Sequence, residues 1–294
     1  MYSIKKLYQP SSISETLSIL AQDQEAGIIA GGTDVMIKMR HKSPENVVLV
    51  SIQNIKELKG VELLEDGAVT IGPMTTFTEL AEEPIIADKL PMLKTAALAM
   101  GGPQIQNMAT IGGNVCNGAT SADSASSLFA LDAYLTLEKD GDIRTVPIDE
   151  FYTGPGKTVR EREELLTRII IPPRKERYWG CKYIKFATRK AMDIAILGAA
   201  ATCTLGEDRK TIEKVTIAMG VAAPTPVRCP EAEKLLTGKI PTMELLEEAG
   251  EKALLSCNPR SSWRASKEYR ECLIKELSAR AVREAYKEAG GRVL

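Results

Sequence analysis

Several familiar signatures are missing from this 294-residue chain. It has no GxGxxG and no GxxxxGK[ST], so the two commonest nucleotide-binding loops are absent. It has no CxxC; its closest cysteines, Cys257 and Cys272, are too far apart to make a local zinc or iron–sulfur site. Cys116, Cys181, Cys203 and Cys229 complete the six, and all read as small buried thiols of a reducing compartment. Histidine occurs once, as His41 behind the basic Lys38-Met39-Arg40, which excludes Ser-His-Asp chemistry and histidine-based metal sites. No apolar run approaches the ~20 residues that span a bilayer. Met1 to Gln9 carries no apolar signal core, so a cytoplasmic location is expected. Formal charge is −1, from 38 basic and 39 acidic side chains, which gives no bulk attraction to nucleic acid or an anionic membrane.

What is present is a pair of glycine-rich stretches. Ala30-Gly31-Gly32-Thr33-Asp34-Val35 follows the apolar Gly27-Ile28-Ile29, and Thr110-Ile111-Gly112-Gly113-Asn114-Val115 follows later. Each sets bare backbone amides beside small hydroxyl or amide side chains, a combination that approaches a phosphate closely without a metal or a lysine. Finding it twice points to one long ligand held at two places, such as a dinucleotide. In the first stretch a strand, a tight turn and a helix N-terminus combine to favour an anion; the Asp34 carboxylate should point away while its amide contributes. In the second, Thr110 can bond a phosphate or ribose oxygen, and Asn114 offers both donor and acceptor to a ring edge. Asn117, Thr120, Ser121 and Asp123 extend the polar lining, with Asp123 placed to accept from a sugar hydroxyl. The same polar turn would also serve to cap the following helix.

Strands and helices alternate irregularly, with hairpins, which predicts an α+β fold. A capping box at Ser12 opens a helix over 13–22, and a second at Thr76 opens a helix that Pro84 limits. Glu65-Asp66-Gly67 marks a hairpin. Pro172-Pro173 followed by a charge run divides the chain into residues 1–175 and 176–294. Beyond it lie a strand over 182–187, the apolar stretch 194–204 and amphipathic helices over 243–256 and 269–289. Lys185 lies on the first of these with apolar neighbours, where it either snorkels to water or meets an anionic partner; the sequence favours snorkelling. Arg260 to Arg270 reads as a capped helix start that packs Trp263 and Tyr269.

The Ala-Gly-Gly-Thr-Asp and Thr-Ile-Gly-Gly-Asn pair resembles the FAD-binding module of the molybdenum hydroxylases, the xanthine dehydrogenase and carbon monoxide dehydrogenase flavoproteins. Asn114 to Ala125, Gly220 to Cys229 and the Arg260 to Arg270 segment add to the likeness, which runs from about Tyr2 to the C-terminus and is nearest to FAD subunits of the bacterial xanthine dehydrogenase type. The resemblance implies a two-lobed FAD-binding domain of the vanillyl-alcohol-oxidase type, then a smaller α+β domain. It implies non-covalent FAD with its pyrophosphate against Gly27, Ile28, Ile29, Ala30, Gly31, Gly32, Thr33 and Asp34, and against Thr110, Ile111, Gly112, Gly113 and Asn114. Asn114 would also lie near the flavin ring, Asp123 near ribityl or ribose hydroxyls, Leu166 against the ring face and Lys185 at its polar edge. Where animal relatives place an aromatic ring over the flavin, this chain has Met100-Gly101-Gly102, whose thioether could replace some of the contact.

The resemblance further implies partners: a molybdopterin subunit that oxidises hypoxanthine or xanthine, and a [2Fe–2S] subunit that feeds electrons singly to the FAD, which hands them to NAD⁺ as hydride. Other hydroxylases of the family, acting on carbon monoxide, nicotinate or an aldehyde, would use the same kind of subunit. A self-contained flavin oxidase would need its own base, and none stands out. A non-catalytic nucleotide-binding subunit would release no flavin on denaturation.

Overall fold

The computed structural model describes residues 3–42 and 44–293. Met1 and Tyr2, part of the stretch read for a signal core, lie outside the described residues, as do Ser43 and Leu294.

The first lobe is a small parallel sheet. Strands β1 (Ile4–Tyr8), β2 (Ala26–Ile29) and β3 (Val47–Ser51) stand in the order β1-β3-β2. Helices α1 (Ile13–Gln22) and α2 (Val35–Lys42) make the crossovers that parallel pairing requires. Ser12 caps α1 as expected, accepting from the Glu15 amide at 3.2 Å. The box is displaced by one residue, however: the Glu15 carboxylate takes the Ser11 amide and hydroxyl instead of the Ser12 amide. His41 sits exposed near the end of α2.

The second lobe is antiparallel. Strands β4 (Val61–Leu63), β5 (Val69–Ile71), β6 (Tyr134–Lys139), β7 (Asp142–Pro147) and β10 (Leu165–Ile171) form a sheet ordered β4-β5-β10-β6-β7, and β8 (Tyr152–Gly154) pairs with β9 (Lys157–Thr158). Between β5 and β6 runs a chain of short helices: α3 (Phe77–Glu82), α4 (Pro84–Lys89), α5 (Pro91–Ala99), α6 (Pro103–Gln106), α7 (Ile111–Cys116) and α8 (Asp123–Ala130), with α9 (Ile148–Phe151) after β7. Thr76 and Glu79 make a complete capping box. Pro84 ends one helix and starts the next, because the first helical position tolerates a missing amide hydrogen. Every residue of α8 is buried. A small cluster of Ile52, Ile55, Leu58, Met74 and Leu165, with Ile28 and Ala30 against it, joins the two lobes.

The C-terminal part is a four-stranded antiparallel sheet, β11 (Trp179–Phe186), β12 (Leu197–Leu205), β13 (Ile212–Gly220) and β14 (Val227–Arg228), backed by α10 (Pro230–Leu236), α11 (Met243–Leu254) and α12 (Lys267–Glu288). All nine residues of β12 are buried. Alternation explains the apolar run: Ala199, Ala201 and Cys203 join the core under α12, whereas Ala200 points into the core of the second lobe with Tyr183 and Ala218. Thr216, on that same face, donates to the Ala130 carbonyl of α8 at 2.7 Å. The sheet is thus packed on both sides, and it fixes α8 where the site needs it. Helix α12 starts earlier than periodicity suggests because Ser266 accepts from the Tyr269 amide.

Two expectations fail here. Trp263 is not packed but 84% exposed, stacked only by Arg264 at 4.1 Å from its ring centre. Cys272 is exposed, and Cys116 and Cys257 are half-buried, so the cysteines are not uniformly core thiols.

Candidate functional site

The first glycine stretch is a bend between β2 and α2. Gly32 has φ +75, a left-handed conformation that suits glycine. Gly31 is required by space: a Cβ there would lie 1.6 Å from the Met108 carbonyl oxygen, just upstream of the second stretch. The two bends are therefore in contact. Among the described residues no protein acceptor takes the amides of Gly31, Gly32, Thr33 or Asp34. Helix α2 closes back onto the bend through Met36 to the Gly32 carbonyl and Lys38 to the Asp34 carbonyl. Four free amides at a helix start form a concave anion receptor.

The second stretch is different from what its composition suggests. It is no loop but the first turn of α7, and its amides are already engaged. Ile111 donates to the Thr75 carbonyl at 3.0 Å, Gly112 to Pro73 at 2.9 Å, Gly113 to the Thr110 hydroxyl at 3.1 Å and Asn114 to the Thr110 carbonyl at 3.0 Å. The expectation of bare nitrogens at this second place is thus corrected. Gly112 is there for packing, since a Cβ would come 2.3 Å from Pro73 Cβ. A Cβ on Gly113 would meet the Thr110 hydroxyl oxygen at 3.0 Å and Ala30 of the first bend at 3.8 Å. The Asn114 side-chain Oδ1 accepts from the Ser124 hydroxyl at 2.6 Å, and no acceptor among the described residues takes its Nδ2.

Behind this wall lies a buried ion pair. Lys185 Nζ donates to Asp123 Oδ2, the Ala99 carbonyl and the Asp193 carbonyl, each at 2.9 Å, which uses all three of its hydrogens. Tyr183 donates to Asp123 Oδ1 at 3.1 Å. Lys185 therefore neither snorkels nor reaches the main cavity; it opens onto a smaller neighbouring one. Burial pushes the Asp123 carboxyl above its ordinary value, against the opposing pull of Lys185 and the Tyr183 bond. Burial, and then the Asp123 charge, push the Tyr183 hydroxyl well up in turn.

The bends share one cavity of about 490 Å³, within the usual size of ligand sites. Of the residues singled out from sequence, Ile28, Ala30, Gly31, Gly32, Thr33, Asp34, Thr110, Gly112, Gly113, Asn114, Asn117, Ser121, Asp123 and Leu166 line it, and Thr120 does not. Gly27, Ile29, Ile111 and Lys185 do not: Gly27 and Ile29 lie within β2, and Ile111 is fully buried beneath α7. Met100 is on the wall, together with Ile105 and Met192, and among the described residues no aromatic ring is. Sequence reasoning missed Lys38, Arg160 and Met74: Arg160 and Met74 arrive from segments with no motif of their own, and Lys38 is placed by its bond to the distant Asn117.

The chemistry of this wall is that of holding, not of proton transfer. Cys116 is its one thiol, and burial pushes it up to about 11 against the pull of Arg160, so it is no thiolate at neutral pH. Among the described residues no group of His, Cys, Asp and Glu could hold a metal ion. The free amides suit a diphosphate, the aliphatic and thioether walls suit a flat ring, and one cavity joins the two.

Comparison with known proteins agrees with that geometry. Residues 2–174 match a family model described as the FAD binding domain in molybdopterin dehydrogenase, and residues 182–285 match the CO dehydrogenase flavoprotein C-terminal domain. The chain is 42% identical over 293 residues to a xanthine dehydrogenase FAD-binding subunit of Escherichia coli O157:H7, covering 100% of both. It is 31% identical to a carbon monoxide dehydrogenase medium chain of Hydrogenophaga pseudoflava, covering 95% of this chain and 96% of that one. A solved carbon monoxide dehydrogenase from the same organism superposes with a TM-score of 0.92 at 29% identity, over 98% of this chain and 99% of that chain. The chain belongs to the FAD-binding flavoproteins of the molybdenum hydroxylase family.

Proposed function

We propose that this chain is the FAD subunit of a xanthine dehydrogenase-type complex, taking electrons from [2Fe–2S] clusters on one partner while a molybdopterin partner oxidises hypoxanthine or xanthine, and passing them to NAD⁺. The observation that carries the reading is the single cavity framed by the two glycine stretches, with four unclaimed amides on one side and aliphatic walls on the other. Bound FAD would supply the exchange between single electrons and pairs. The chain's residues would do the holding. Gly31 to Asp34 would give their amides to the diphosphate, and Thr110 would turn its hydroxyl hydrogen toward the same ligand. Asn114 Nδ2 would reach the ring edge, Leu166 and Met100 would bracket its faces, and Asp123 would accept from a sugar hydroxyl while Lys185 and Tyr183 keep it in place. A division near residue 175 belongs to the same reading, supported by the irregular segment that follows β10.

Full-length likeness to a xanthine dehydrogenase subunit favours the purine substrate. The likeness to a carbon monoxide dehydrogenase medium chain favours, as second reading, the same role in a complex with another substrate. In either case no histidine lines the wall, and its buried carboxylate, Asp123, is held by Lys185 and Tyr183, which argues against a self-contained oxidase. The test uses the native complex under anaerobic conditions. Added NADH should bleach the flavin absorbance, and xanthine should do the same through the partner subunits. A flavin that stays oxidised with NADH but is bleached by xanthine would remove NAD⁺ as acceptor. Bleaching by carbon monoxide or nicotinate in place of xanthine would favour the second reading.

A further inference from the structure

Lys38 stands one helical turn after Asp34, the spacing at which a carboxylate and an ammonium ordinarily pair on a helix. Among the described residues it makes no ion pair. Instead its Nζ donates to Asn117 Oδ1 at 2.5 Å, across 79 residues of sequence. Asn117 is the C-cap of α7, so this bond ties the helix after the first bend to the helix that the second stretch begins. Both residues line the cavity.

The charges on that wall show why a cation is needed there. A diphosphate brings two negative charges, and the amides of the second bend are spent inside the protein. Three carboxylates also line the cavity: Asp34, Asp123 and Asp193. Lys185 offsets Asp123 and Arg189 approaches Asp193 at 3.7 Å, whereas among the described residues Asp34 has no cation against it. Of the two wall cations, Arg160 is anchored by its NH1 to the carbonyls of Glu161 and Glu164. Lys38 keeps two of its three hydrogens unclaimed. We propose that Lys38, steered away from Asp34 by Asn117, binds the diphosphate of the flavin dinucleotide and supplies the positive charge that the glycine amides lack. Asn117 is then a positioning residue. The inference rests on the FAD reading of the cavity and extends it to two residues outside the glycine stretches.

The experiment titrates the deflavinated full-length chain with FAD and, separately, with riboflavin, which has the ring but no diphosphate. Lys38→Met should weaken FAD by about tenfold to a hundredfold, the scale of one hydrogen bond to a charged group, and leave riboflavin affinity unchanged. Lys38→Arg should recover most of the loss, and Asn117→Ala should give a smaller one. The Lys38→Met protein should also show a weaker salt dependence of FAD affinity. Equal FAD affinity in Lys38→Met and wild type would overturn the proposal, as would a variant that loses FAD and riboflavin alike, the mark of a merely structural tie. If the wild-type chain bound riboflavin but not FAD, or neither, the FAD reading itself would fall.

Discussion

Gly31 and Gly112 both lack a side chain for want of room, but the room belongs to different neighbours. At Gly31 the obstacle is the Met108 carbonyl, on the segment leading into α7. Any Cβ forces the two bends apart and tilts the free amides. At Gly112 the obstacle is Pro73, on the segment between β5 and α3. The two substitutions should therefore fail in different ways. Gly31→Ala should leave a folded chain that retains little FAD. Gly112→Ala should overpack the wall and lower the stability of the flavin-free protein by about 1–3 kcal/mol. Flavin content per chain and thermal unfolding of the stripped protein read the two effects apart. The opposite pattern would show that the first bend is scaffold and the second the grip. The residue types at the first bend were legible in sequence because strand, paired glycines and helix follow one another directly. Lys38 was not, because its role depends on Asn117, which only the fold brings near it.

Elements decide what a motif becomes. Thr110 to Asn114 has the composition of a loop and two adjacent glycines that disfavour helix, yet it forms the first turn of α7. The carbonyls of Pro73 and Thr75 take amides that an isolated helix start leaves open, and the Thr110 hydroxyl takes another. No sequence pattern could have supplied those acceptors, which come from the segment between β5 and α3. By contrast α12, α11 and the hairpins were readable, because apolar spacing and turn chemistry are local. The turn into β10 also rests on a distant partner. Arg144 of β7 grips Glu164 through two nitrogens at 2.5 and 2.9 Å, and Glu164 in turn accepts from the Glu161 amide. Burial raises the Glu164 carboxyl, but these bonds and the Arg144 charge outweigh it and hold the carboxyl below its ordinary value. A lowered folded value means that the contribution is present above the unfolded carboxylate range, near ~4.3, and is lost as pH falls through the lower folded value. Glu164→Gln should thus cost about 1–3 kcal/mol at neutral pH and flatten the acid limb of the stability curve. Because Leu165 and Leu166 follow directly and line the cavity, flavin affinity should fall with it. A variant whose stability keeps the wild-type acid limb would exclude this carboxyl as its source.

At the scale of the whole molecule, three sheets serve one cavity. The parallel lobe supplies the free amides, and the antiparallel lobe supplies α7, α8 and the start of β10. The C-terminal sheet packs against α8 and delivers Lys185 and Tyr183 to hold Asp123. A chain so organised is built to hold a cofactor, which fits its family of FAD-binding flavoproteins. The central claim is narrower than that family membership: the diphosphate would take its backbone amides from the first bend alone, because those of the second are spent inside the protein. A crystal structure of this chain with FAD bound tests it most directly. The account predicts diphosphate oxygens roughly 2.7–3.2 Å from the amides of Gly31 to Asp34, with those of Ile111 to Asn114 still bonded to Thr75, Pro73 and Thr110. Diphosphate oxygens bonded to the α7 amides instead, with the Pro73 and Thr75 carbonyls released, would contradict it.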